Sequence, residues 1–291
     1  MAQAYTIPET ASRKSAGYAL IWLLLFCGFN ACAGTGKIIA TAGLLQIEGS
    51  GGGGVVPWAT LTGYDSRSQT SATAYATRLS VDDFRLNSFG AALSFYDRVE
   101  ISLARLNLDV KPLNTNIAQT VAGAKIRLYG DVVYSAWPQV SAGIQYKHLQ
   151  DSHIASSLGV LHTSGTDWYL AATRVHLGMV AGYNLVWNAT IRYTDANQLG
   201  LLGFGNQQGH NRKLVGEGSA AVLLSDHLAI GIEYRQRPDN LAIGESAIRD
   251  VFVTYIPSKL FNITMAWVDL GSVAGLDDQQ GIYLSLGGQL W

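Results

Sequence analysis

His162-Thr163-Ser164-Gly165 places a base and a nucleophile two residues apart. The stretch falls in a long loop rather than on a strand at the lipid face, where polar turn residues are the simpler reading. A working pair also needs a third group to orient the base, and the surrounding sequence nominates none. The other histidines, His148, His153, His176, His210 and His227, fall at the ends of periodic segments or in loops, with no spacing suited to zinc. Asp82-Asp83 and Asp277-Asp278 offer oxygen ligands for a hard cation, but adjacent acids in a polar loop are more simply a solvated pair. Gly203-Phe204-Gly205 lacks the strand–turn–helix setting of a dinucleotide site. The sequence therefore assigns no catalytic residue, metal or cofactor. A second group is more telling: Arg78, Lys125, Arg127, Lys147, Arg192, Glu233 and Arg235 interrupt segments whose other residues alternate in polarity.

Those segments are the elements that must position the charges. Leu228, Ile230, Ile232 and Tyr234 share one face of an extended chain, as do Phe261, Ile263, Met265 and Trp267. Ala122, Ala124, Ile126 and Leu128 oppose Gly123, Lys125 and Arg127, and Val140, Ala142, Ile144 and Tyr146 oppose Ser141, Gly143, Gln145 and Lys147. The periodicity predicts about 14 strands (12–16 are compatible). They are Lys37–Ile47, Val55–Tyr64, Gln69–Leu79, Phe84–Tyr96, Val99–Val110, Val121–Tyr129, Pro138–His148, Trp168–His176, Asn184–Thr194, Lys213–Leu224, Leu228–Gln236, Ile248–Ile256, Phe261–Leu270 and Gly281–Leu290. In Val99–Val110 the phase slips from Val99, Ile101, Leu103 to Leu106, Leu108, Val110, which predicts a β-bulge near Ala104-Arg105.

Composition sets the environment. Of 291 residues, 14% are charged and 48% hydrophobic, a balance shifted from soluble domains toward membrane. After the N-terminal segment no run approaches the roughly 20 apolar residues of a spanning helix, which leaves the closed barrel as the spanning structure. A net charge of −1 excludes a nucleic-acid-type basic surplus. Arg13-Lys14, the apolar Gly17–Phe29 and Ala31-Cys32-Ala33 read as a cleaved signal peptide over residues 1–33, leaving residues 34–291 as the barrel domain. Both cysteines, Cys27 and Cys32, go with it, so the mature chain has no thiol or disulfide. Connections alternate in length: Asp97-Arg98, Ser225–His227 and Pro257–Leu260 are short, whereas Leu149–Asp167, Asp195–Arg212 and Gly271–Gln280 are long. That alternation predicts an all-β, antiparallel, up-and-down transmembrane barrel with an even strand number. Aromatic residues at strand ends, including Tyr64, Tyr96, Tyr129, Tyr193, Tyr234, Tyr255 and Trp267, fit interface girdles.

The terminal aromatic Trp291 resembles the last residue of bacterial outer-membrane proteins, which implies outer-membrane location, contact with lipid and lipopolysaccharide, and recognition of the last strand by the barrel-assembly machinery. The mature chain also resembles the proteobacterial domain-of-unknown-function family 3034. That likeness rests on Gly36-Lys37-Ile38-Ile39, Gln46-Ile47-Glu48-Gly49, Pro57-Trp58-Ala59, Gly63-Tyr64, Tyr75, Arg78, Asp97-Arg98-Val99-Glu100, Lys125-Ile126-Arg127-Leu128 and Gln145-Tyr146-Lys147. It brings no known activity. His162-x-Ser164 resembles the His-x-Ser-Asn-Gly stretch of outer-membrane phospholipase A but lacks the Asn. With apolar faces against lipid, the seven charged residues are expected to line the lumen, because a charge on the lipid face costs about 2–4 kcal/mol near the midplane. Two outcomes follow: a porin-like channel for small solutes with an anion-favouring basic excess, or a closed barrel whose charges pair across a plugged interior and which acts through its long outer loops. A lipid-modifying hydrolase is the third.

Overall fold

The computed structural model describes residues 37, 39–42 and 44–290; the segment 1–33 and Trp291 fall outside the described residues. Fourteen strands form: β1 (Leu44–Leu45), β2 (Gly51–Gly52), β3 (Thr70–Val81), β4 (Phe84–Phe95), β5 (Val99–Val110), β6 (Thr115–Tyr129), β7 (Gln139–Leu149), β8 (Ser164–Val180), β9 (Tyr183–Thr194), β10 (Lys213–Ser225), β11 (Leu228–Arg235), β12 (Ile248–Ser258), β13 (Phe261–Asp269) and β14 (Gln280–Gln289). Strands β3 to β14 make a closed barrel of neighbouring antiparallel pairs, and β14 returns to β3 with Leu284 opposite Arg78. Among the described residues one α-helix, α1 (His153–Ser157), sits in the connection from β7 to β8.

Alternation builds the wall. In β12, Val251, Val253 and Tyr255 face out while Asp250, Phe252 and Thr254 face in. The same holds around the circumference, so Ile101 (52% exposed), Ile232 (57%), Met265 (56%) and Ile282 (53%) form an uncovered apolar band. A band of that extent on a closed barrel is a lipid-facing surface. Tyr96, Tyr129, Tyr193, Tyr234, Tyr255 and Trp267 are among its exposed aromatics.

The barrel has twelve strands, not about 14, because the first two segments expected in the wall lie inside it. Lys37–Ile47 contains only the two-residue β1, and Val55–Tyr64 contributes no strand. β1 and β2 pair as a small hairpin, Leu44 opposite Gly52, around the tip Gln46–Ser50. The chain from there to Asp65 is buried: Val56, Ala59, Leu61 and Thr62 have essentially no exposure, and Tyr64 is in this plug rather than a girdle. Plug residues mimic strands because they too meet an apolar surface on one side and a polar wall on the other. Losing two strands leaves the parity of the connections intact. The loops 150–163, 195–212, 236–247 and 270–279 still share one end, and the tight turns at Asp97, 181–182, 226–227 and 259–260 share the other.

The expected bulge in β5 is absent. Residues 99–110 pair continuously with both β4 and β6, from Val99 opposite Phe95 and Ile126 to Val110 opposite Phe84 and Thr115. The apparent slip has another cause. Leu106, Leu108 and Val110 face inward and are buried, in an apolar layer with Leu79, Phe84 and Leu86 under the long loops. The lumen is thus apolar at the loop end and polar below.

Candidate functional site: the plugged lumen

Five consecutive strands direct charges inward to one level, and the signs alternate: Lys147 (β7), Asp167 (β8), Arg192 (β9), Glu217 (β10) and Arg235 (β11), with Glu233 of β11 one step below. Neighbours are paired, Lys147 Nζ to Asp167 at 2.7 Å, Asp167 to Arg192 at 3.1 Å, Arg192 to Glu217, and Glu217 to Arg235 at 3.5 Å. Glu48, at the tip of the plug, joins the two ends of this ladder. One carboxylate oxygen meets Lys147 and the other lies 2.7 Å from Arg235. The result is a closed ring of three cations and three anions, with side chains between 0 and 3% exposed. Burial alone would push the Glu48 carboxyl up, but Arg235, Lys147 and Arg192 outweigh it and hold the group well below the ordinary carboxylate range.

Below the ring, wall charges read the plug backbone. Lys125 and Glu100 pair at 3.3 Å across β5 and β6. Lys125 Nζ donates to the carbonyls of Gly51 at 2.7 Å and Thr60 at 2.8 Å, and Glu100 accepts from the amides of Gly51 at 2.9 Å and Thr62 at 2.8 Å. Both limbs of the plug are therefore clamped by one ion pair. Glu233 accepts from the Gly54 and Val55 amides at 2.7 and 2.8 Å and from Ser219 at 2.8 Å. The glycine run is required here: a Cβ on Gly53 would lie 2.0 Å from Glu233 Oε1. At the short-turn rim, Lys37 lies 3.4 Å from Asp65 and 3.1 Å from Asp97, which also holds Arg127. The plug enters and leaves at this one rim.

Six of the seven expected lumen residues, Lys125, Arg127, Lys147, Arg192, Glu233 and Arg235, point inward and are buried. Arg78 does not. Tyr75, Thr77 and Leu79 take the inward positions of β3, which turns Arg78 to the outer face. It lies three residues from the loop end of its strand, where the cost of a lipid-face charge falls to about 0–1 kcal/mol. The expected basic excess is also corrected. Glu100, Asp167, Glu217 and Asp250 face inward too, and the plug adds Glu48. Their signal was present in the sequence as acids on the polar parity of alternating segments.

The His162–Ser164 pair is not assembled. Ser164 begins β8 on its outward parity, opposite His148, whereas Gly165 and Asp167 face inward. The His162 ring stacks on that of His210 at 4.0 Å and 9°, and His210 Nδ1 bonds Asp195. Among the described residues no hydrogen bond joins the Ser164 hydroxyl to a histidine, and no group of three or more His, Cys, Asp or Glu is arranged to hold a metal.

Residues 41–287 match the model of DUF3034, described as a protein of unknown function. The chain belongs to this family. Solved structures similar to this DUF3034 chain are outer-membrane barrels. They include the NanC porin (TM-score 0.46, 10% identity, 74% of this chain and 97% of that one) and the COG4313 outer membrane channel from Pseudomonas putida F1 (0.41, 15%, 76% and 94%). The outer membrane phospholipase A from Escherichia coli is a third (0.36, 8%, 77% and 94%). No curated protein matches the DUF3034 chain by sequence.

Proposed function

We propose that this DUF3034 protein is an outer-membrane channel for small solutes whose lumen is closed at rest by its own N-terminal segment. The observation that carries this reading is the Glu48 ring. Its sixth member comes from the N-terminal segment inside the barrel, while the other five belong to the wall. A barrel built only for rigidity needs no separate chain inside it. Twelve strands lie between the roughly eight whose side chains fill the interior and the roughly 16–18 of water-filled porins, so the emptied lumen is wide enough to conduct. Both limbs of the plug reach the same rim at Lys37 and Asp65, so the hairpin slides out without threading. Once it leaves, the ring keeps three cations against two anions, and the exposed lumen favours anions at that level.

The test is conductance in planar bilayers of the mature chain and of a variant lacking residues 42–65. Steady conductance of the deletion variant against a mostly silent native barrel is expected. A deletion variant that keeps heat-modifiable gel mobility yet never conducts overturns the channel. The second reading, a closed barrel acting through its outer loops, is favoured by the burial of the ring. It predicts a native barrel that stays silent at every voltage and admits no solute into liposomes.

A further inference from the structure

The apolar layer beneath the loops is not fully packed. A cavity of about 260 Å³ opens between the ends of β4, β5 and β6 and the loops carrying Ile154, Leu202 and Leu276. Its rim is exposed, with Leu113 at 63% and Leu276 at 39%, so it opens to the side of the long loops. A second space of about 40 Å³ lies deeper and shares Phe84, Leu108, Gln198 and Val273 with the first. Its inner wall is the plug itself, through Ile47 and Val55. A mainly apolar surface, interrupted by Gln198 and Arg237, therefore runs from the outer mouth to the plug tip. A barrel interior is ordinarily polar, and here the inward positions of β5 change from Glu100 and Ser102 to Leu106, Leu108 and Val110 on the way up.

The polar side chains on this surface, Gln198 and Arg237, are held by partners within the protein. Gln198 is the single polar side chain lining the outer cavity; its oxygen accepts from Arg237 and its amide donates to the Ser272 carbonyl. Arg237, on the inner space, donates to the carbonyls of Ser246, Leu270 and Ser272 as well as to Gln198. A polar ligand group buried against the eleven apolar residues of this lining would be left unpaired and lose about 1–3 kcal/mol. A neutral hydrocarbon loses nothing. For scale, a cavity of about 150 Å³ lined by Leu, Ile and Phe suffices for benzene.

We infer that this cavity is a binding site for a small, neutral, apolar molecule of one or two ring volumes, placed to be the first station on the path that the plug closes. The binding site stands on the cavity alone, and its meaning as a substrate site rests on the channel reading. The probe is tritiated naphthalene, equilibrated with the full mature chain in lipid nanodiscs and with nanodiscs lacking protein. Saturable binding of one molecule per barrel, above the partition into lipid, is expected. Val110→Trp fills the cavity and Leu276→Glu charges its rim; each should weaken binding at least tenfold, whereas Ile101→Trp, on the lipid face of the same strand, leaves it unchanged. Uptake by the native barrel equal to that of empty nanodiscs overturns the site, as does binding that survives both variants with heat-modifiable mobility intact. Failure here beside a conducting plug-deleted barrel removes only the apolar substrate. Naphthalene binding beside a silent deletion variant keeps the site and removes the channel.

Discussion

Replacing Lys147 by Met removes one cation from the ring and keeps the length of the side chain. The ring is neutral as built, with Glu48, Asp167 and Glu217 against Lys147, Arg192 and Arg235. In the variant, Glu48 keeps Arg235 at 2.7 Å and Asp167 keeps Arg192 at 3.1 Å, so geometry survives but one negative charge is left uncompensated in a fully buried site. Breaking a buried pair from one side costs about 3–5 kcal/mol. That cost falls on the plugged state, because an emptied lumen lets water reach Glu48 and the wall. At 1.36 kcal/mol per tenfold, the unplugged population rises by about two to four orders of magnitude. Residues 34–291 contain no cysteine, so in a chain starting at residue 34 a Thr60→Cys reporter on the plug, buried in the native barrel, reads this population through its rate of maleimide labelling. Glu48→Gln combined with Lys147→Met restores neutrality and should recover most of the protection. An increase below about tenfold in the single variant, or a double variant labelled as fast as the single, would refute the assignment of plug retention to the ring.

Further expectations concern the glycine run, the loop cap and the two arginines that face opposite ways. Gly53→Ala brings a methyl group against Glu233, which is fixed by three hydrogen bonds, and should cost about 1–3 kcal/mol of plug docking, read by the same labelling assay. Glu245, in the loop 236–247, is pushed up by burial to about 7, only partly offset by Arg237. Its folded form therefore binds a proton that the unfolded chain releases near pH 4.5, and stability is lost as pH rises through 7. Proteolysis of this loop should be slower at pH 5.5 than at pH 8, with Glu245→Gln abolishing the difference; a loop cut equally fast at both would count against it. In denaturant titrations, Arg78→Leu should stay within about 0.5 kcal/mol of the native barrel. Arg127→Leu, which takes one of the two cations from Asp97 at the rim and leaves Lys37, should cost more, about 1–3 kcal/mol.

The wall was legible because lipid imposes a simple rule: every second residue is apolar over 122–128 in β6, 140–146 in β7, 228–234 in β11 and 261–267 in β13. Connection lengths fixed the parity for a similar reason. The plug was not legible, since Val55–Tyr64 satisfies an apolar layer and a polar wall by the same alternation that a spanning strand shows. The slip in β5 was seen and given the wrong cause. Its inward residues change chemistry along the lumen, which periodicity alone reads as a change of phase. Of the ring, the cations were found and the acids passed over, because Asp167 and Glu217 acquire meaning only when the register sets them beside Lys147, Arg192 and Arg235. Glu48 lay in a stretch read as a loop between strands, and only the closed barrel shows what it touches.

The place of the plug in the chain bears on the order of biogenesis. The plug precedes β3 in the chain, yet the wall charges that hold it lie on β5 to β11, with Arg235 and Glu233 on β11. The full docking surface thus requires the wall as far as β11. Before the plug docks, Lys147 and Arg235 face one another without their shared carboxylate, and an immature barrel is distinguishable from a finished one by the state of its interior rather than by its strands.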